Sequence, residues 1–138
     1  MENTKLIVIA GPSASGKTTL VRTLYQQLSD YISVLSTDNY FHPFSHLPLE
    51  KRAQQNYDHP DSIDINLLTK HLNLALNLKE FATPNYCFKQ HTRLSHGTNI
   101  APKPIIILEG VLALTLPQVT EMADLKVFIN TPLDICLA

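Results

Sequence analysis

Residues 11–18 read Gly11-Pro12-Ser13-Ala14-Ser15-Gly16-Lys17-Thr18. This is a complete match to G-x-x-x-x-G-K-[ST], the loop whose backbone amides cradle phosphate. The pattern constrains the fold as much as the ligand, because it works only between a strand and a helix. Both flanks comply. Leu6-Ile7-Val8-Ile9-Ala10 is an unbroken apolar run, as a strand buried on both faces requires. From Thr19 to Leu28, the residues Leu20, Val21, Leu24 and Leu28 share one face at helical spacing. Gly11 to Thr19 are therefore expected to hold a nucleoside triphosphate, with the amides and the helix N-terminus supplying positive potential. Lys17 would reach the β- and γ-phosphates, and the Thr18 hydroxyl would ligate Mg²⁺. The competing reading, a chance glycine-rich turn, is opposed by both flanks.

A length of 138 residues suits one domain, small for a doubly wound α/β fold. An apolar content of 44% supports a real core and excludes disorder. The net charge of −1 gives no reason to expect a nucleic-acid or membrane partner. No apolar run reaches the length of a membrane span, and Met1 to Lys5 lacks the regions of a signal peptide. Cys87 and Cys136 are too few and too far apart for a disulfide framework or a C-x-x-C site. Both are expected to be reduced, in a cytoplasmic protein. The histidines form neither H-x-x-x-H nor H-E-x-x-H, so no dedicated zinc site is expected.

Tyr31 to Ser36 reads as a second strand ending at Thr37-Asp38-Asn39-Tyr40-Phe41. Ligands of open parallel sheets sit beyond the carboxyl ends of the strands. Asp38 accordingly either faces the γ-phosphate or caps the next segment. His42 to Leu49 reads as a loop, and Pro48 to Gln55 as the start of a short helix. Asn56-Tyr57-Asp58-His59-Pro60-Asp61 is a connector or a ligand-contacting loop. A helix is expected from about Asp64, its N-cap, to Lys79, with Leu67, Leu68, Leu72, Ala75 and Leu76 inward. Phe81 to Pro104 reads as a hairpin-like excursion from the main sheet. Its Tyr86, Phe88, His91 and Arg93 either line a pocket for a flat aromatic ligand or pack as an ordinary hairpin.

Ile105 to Gly110 is a buried strand that delivers Glu109 to the phosphate side, where an acid of P-loop proteins helps hold Mg²⁺. The bland alternative is a strand-end glutamate in solvent. Leu125 to Asn130 is a fourth strand, and Thr131-Pro132-Leu133-Asp134 opens a helix. That helix has only about seven residues before Ala138, so the chain is expected to end inside an element. The alternation predicts an α/β three-layer sandwich of the P-loop NTPase type with a mostly parallel sheet. A single domain over 1–138 is expected, incomplete at its C-terminal end, with the excursion at about 81–104.

Together these stretches resemble the uridine kinase (uridine–cytidine kinase) family, within the larger phosphoribulokinase/uridine kinase group. The P-loop alone is generic. Tyr57-Asp58-His59-Pro60 and His91-Thr92-Arg93 carry most of the specificity, and the resemblance spans essentially the whole chain. It implies transfer of the ATP or GTP γ-phosphate to the 5′-hydroxyl of uridine or cytidine, the pyrimidine-salvage step that forms UMP or CMP. It further implies that Asp38 receives the hydroxyl proton, that Asp58 binds the ribose hydroxyls, and that Tyr86 and His91 line the pyrimidine pocket. Phe88 and Arg93 fall in the same pocket motif, and Glu109 matches the acid near Mg²⁺. Members of this family continue past the position of Ala138 with a basic lid, further helices and a last strand, and they are usually oligomeric. Loss of an arginine acting on the transferring phosphoryl group costs roughly 10³–10⁵ in rate. Two alternatives stay open: a non-catalytic nucleotide-binding remnant, and another P-loop small-molecule kinase, such as a phosphoribulokinase or pantothenate kinase.

Overall fold

Successive residues of β1 (Lys5–Ala10) serve two different cores. Leu6, Val8 and Ala10 point into one, and Ile7 and Ile9 into the other, as the two-residue period of a strand buried on both faces dictates. The computed structural model describes residues 4–12, 16–43, 47–48, 50–51, 59–87, 89–90, 92–94 and 97–130. Around β1 lie β2 (Ile32–Ser36), β7 (Ile105–Glu109) and β8 (Leu125–Phe128), in the order β2-β7-β1-β8 with every pair parallel. The expected α/β architecture with a parallel sheet is therefore present.

Helix α1 (Lys17–Leu28) covers one face. Its Val21 is buried with Ile9, Ile32 and Ile107, and Leu20 and Leu24 pack against them. Leu28, expected on the same face, is exposed instead, because it sits at the helix end beyond the cover of the sheet. Helix α2 (Ile65–Leu76) and the short α3 (Pro117–Met122) cover the other face. There Leu68, Leu72, Ala75 and Val119 pack against Leu6, Val8, Leu35, Ile106 and Leu108. Asp64 caps α2 as expected, accepting the Leu67 amide at 3.2 Å. The helix stops earlier than its apolar pattern suggests, because Leu78 adopts a positive φ of 58° just beyond the Asn77 cap. The sequence pattern also missed α3, too short to show a period. Asp124 fixes the entry to β8 by bonding both backbone groups of Leu6: its Oδ2 accepts the amide at 2.9 Å, and its own amide donates to the carbonyl at 2.8 Å.

The excursion is two small antiparallel ladders, one nested in the other. β3 (Phe81–Thr83) pairs with β6 (Thr98–Ile100), and β4 (Tyr86–Cys87) with β5 (Thr92–Arg93). Gly97 permits the outer pairing, since a Cβ there would run into the Thr83 carbonyl. Among the described residues no helix is long and apolar enough to cross a membrane. The expected helix over 48–55 lies outside the described residues except for Pro48, Glu50 and Lys51, of which the last two are helical. The expected helix from Thr131 lies wholly outside them.

Candidate active site

Register places the site. Ile9 of β1 and Ser36 of β2 both stand opposite Glu109 of β7, so three parallel strands end at one level. The chain leaving each strand determines the chemistry at that level. β1 runs into Gly11 and Pro12, and Ser13, Ala14 and Ser15 lie outside the described residues. The loop closes at Gly16, whose φ of 93° is strained for any residue with a side chain and whose Cβ position is open space. Helix α1 then starts at Lys17 with no side chain at its cap position, so the first-turn amides keep their hydrogen-bonding capacity for an anion. Lys17 is buried and turns back over the strand ends, its Nζ 3.9 Å from Glu109 Oε2. Thr18 and Thr19 are exposed at the same helix start.

The donor set for a divalent cation can be tested on this geometry. Thr18 and Glu109 come from different elements yet line one cavity of about 520 Å³. A neutral hydroxyl and a carboxylate beside a phosphate-binding loop suit Mg²⁺, which takes few protein ligands and completes its shell with phosphate oxygens and water. Among the described residues no cluster of three or more histidine, cysteine, aspartate or glutamate side chains forms a self-sufficient metal cage. The body of that cavity runs between α1 and β2, along Val21, Tyr25, Ile32 and Val34. It meets the site only at its edge.

The chain leaving β2 forms a single 3₁₀ turn, Thr37–Tyr40. Asp38 is exposed on it, at the level of the phosphate loop, and its amide donates to Ser36 Oγ at 3.2 Å. Asp38 thus lies just past the strand neighbouring Glu109. Gly110 makes that proximity possible: a Cβ there would collide with the buried Thr37 side chain.

Elements remote in sequence hold this turn from behind. The Tyr40 hydroxyl and His71 Nδ1 of α2 form a buried hydrogen bond of 2.7 Å. Burial raises the Tyr40 phenol well above its ordinary pKa, against a smaller pull from Arg93. Burial likewise lowers His71, assisted by Lys70 and Arg93 and opposed by Asp64. Both groups are thereby kept neutral. Phe41 bridges to Ile63, and its ring meets Tyr86 edge-on at 5.5 Å. Of the residues expected around a base, Tyr86 is therefore buried beside the turn that carries Asp38. Arg93 is there too, donating from Nη2 to Asp64 Oδ2 at 2.9 Å. Burial pushes the Asp64 carboxyl up, but Arg93 and the Leu67 amide outweigh it and hold the group below its usual range. Asp58, Phe88 and His91 lie outside the described residues.

Two contacts that hold the site's surroundings escaped the sequence reading. His71 was detectable as a polar residue on the apolar stripe of Leu68, Leu72 and Ala75. The partnership of Asp64 with Arg93 had no local signal at all.

A family model described as "Phosphoribulokinase / Uridine kinase family" matches residues 6–138. A uridine kinase of Shewanella frigidimarina is 42% identical over 95% of this chain, and one of Cronobacter sakazakii is 43% identical over 96%. The chain spans 64% of the length of these two relatives. A solved structure described as a possible uridine kinase from Bacillus stearothermophilus superposes with a TM-score of 0.65 at 21% identity, over 97% of this chain and 74% of that one. Strand-end geometry, phosphate loop and similarity along nearly all of its length agree that the chain belongs to the phosphoribulokinase/uridine kinase family.

Proposed function

We propose that this chain carries the phosphate-binding and acceptor-activating part of a uridine/cytidine kinase, which moves the γ-phosphoryl group of ATP or GTP to a nucleoside 5′-hydroxyl. The observation that supports this most is the convergence of Lys17, Glu109 and Asp38 at one level of the sheet, with Tyr86 packed behind the Asp38 turn. Phosphoryl transfer asks a protein mainly for in-line positioning and for neutralisation of charge on the phosphoryl oxygens. In this reading the amides of residues 11–19 and Lys17 take up the triphosphate. Thr18 and Glu109 hold Mg²⁺, which when bound neutralises charge on the β- and γ-phosphates. Asp38 orients the 5′-hydroxyl and accepts its proton. Tyr86, Phe88 and His91 hold the pyrimidine, and Asp58 holds the ribose. The same reading gives the protein a cytoplasmic place among its nucleotide donors.

The test is UMP formation from uridine, ATP and Mg²⁺ by the purified chain, with Lys17→Ala as the blank. Turnover above the blank is the expected result. ATP binding without any turnover would reduce the reading to nucleotide holding, and turnover of a different small-molecule acceptor in preference to uridine would overturn the substrate.

A further inference from the structure

We propose that Arg93 is a positioning residue rather than a nucleoside ligand. Its ion pair with Asp64 straps the inner hairpin to the turn that presents Asp38. The inference rests on the kinase reading above and assigns a different task to one residue of the pocket motif.

Asp64 is the hub. Its amide donates to the Tyr40 carbonyl at 2.7 Å, and its own carbonyl accepts the Leu68 amide at 3.0 Å. Oδ1 accepts the Leu67 amide, and Oδ2 accepts Arg93 Nη2. One residue therefore starts α2, holds the end of the Asp38 turn and receives the hairpin. The turn is fixed again on either side, by the His42 amide on the Ser62 carbonyl at 2.9 Å and by the Tyr40–His71 bond. On the hairpin, Tyr86 and Arg93 stand directly opposite each other, so their side chains leave the same face. Tyr86 meets Phe41, and Arg93 meets Asp64. That face thus packs on the turn through Tyr86 and on the start of α2 through Arg93.

The state of the guanidinium agrees. The Arg93 and Asp64 side chains are only 22% and 24% exposed. Arg93 Nε is buried with no hydrogen-bond partner among the described residues, so it is closed to solvent. A half-buried pair of this kind repays little net stability after desolvation, and its best-attested use is to fix one arrangement among several. Here the arrangement fixed is the hairpin against the catalytic turn.

The experiment compares Arg93→Ala, Arg93→Lys and Asp64→Ser, singly and as the Arg93→Ala/Asp64→Ser pair. Serine retains the cap on Leu67 while removing the carboxylate that Arg93 needs. Expected are kcat losses of about 10- to 100-fold for either single change, the scale of a misplaced reacting group. KM for ATP should be unchanged, Arg93→Lys should recover part of the loss, and the pair should be no worse than the worse single variant. A raised KM for uridine with kcat retained, or losses that multiply in the pair, would overturn the proposal and return Arg93 to the nucleoside. Amide hydrogen exchange gives a readout independent of turnover. In Arg93→Ala and Arg93→Lys the Asp64 and His42 amides should exchange faster, while those of β1 and β7 hold. Unchanged exchange at Asp64 and His42 would overturn the strap even if no uridine were phosphorylated, whereas faster exchange in an inactive protein would sustain the strap and sink the kinase reading alone.

Discussion

The two halves of the proposed site are built in opposite ways. The phosphate half is continuous: β1, the glycine loop and α1 succeed one another, and among the described residues Lys17 meets Glu109 of β7. The acceptor half is a meeting of distant pieces, with Asp38 on the exit of β2, Tyr86 and Arg93 on the hairpin, and Asp64 and His71 on α2. Their helix starts show the same contrast. α1 begins at a glycine that leaves its amides uncapped, whereas α2 begins at an aspartate that engages the helix, the turn and the hairpin together. One end is left open for an anion. The other is closed to serve as an anchor.

The largest effect that sharpens this contrast is Lys17→Ala. On the proposed reading, phosphoryl transfer should fall on the order of 10²–10³-fold, as for loss of one preorganised charge-stabilising donor. Thermal stability should change less than activity, because the Lys17–Glu109 pair is largely buried but stretched to 3.9 Å, so its loss leaves only a weakly engaged Glu109 behind. Steady-state kinetics beside a melting curve would check both, and a large drop in stability would mean that the phosphate half is not separable from the scaffold. Next is Gly110→Ala at the seam between the halves. The three atoms nearest its new methyl all belong to the fully buried Thr37, so a loss toward the upper end of about 1–3 kcal/mol is expected in denaturant unfolding. A neutral result would show that the seam can give way.

The smallest effect concerns the acceptor half alone. The His71 pKa in the folded protein lies below its ordinary 6.5, so the unfolded chain takes up that proton more readily. This contribution to stability is complete above about pH 6.5 and is lost as the pH falls further. Asp64 acts in the same direction at lower pH, its stabilisation present above 3.8 and lost below it. The melting temperature should therefore drop between pH 7 and pH 5, and His71→Gln should flatten the drop. An equally steep profile in the variant would place the acid sensitivity outside the Tyr40–His71 contact.

Legibility in the sequence divides along the same line. The phosphate half is written in consecutive residues, and the apolar runs from Leu6 and Ile105 announced parallel strands whose ends would carry Gly11 and Glu109. The hairpin was visible as a change of texture between Phe81 and Pro104, but its four small strands were too short for any period to appear. Asp64 could be recognised as a cap from its neighbours. Its second partner could not, because Arg93 lies 29 residues away and the pairing exists only once the hairpin folds back. For Asp38 the sequence left two roles open, and the register of Ser36 with Glu109 is what sets it level with the phosphate loop.

Gly110 also bears on how the site could be altered. At its level the sheet is one side chain thinner than at its neighbours, and Thr37 occupies the volume so released. The spacing between the Glu109 and Asp38 backbones is thus gauged by solid packing rather than by the length of a connecting loop. Insertions beyond His42, past the last bond that pins the turn, would leave that gauge untouched, whereas a single residue added between Ser36 and Asp38 would reset it. Chain segments offered to a new acceptor are therefore best grafted downstream of the turn and of its His42 pin.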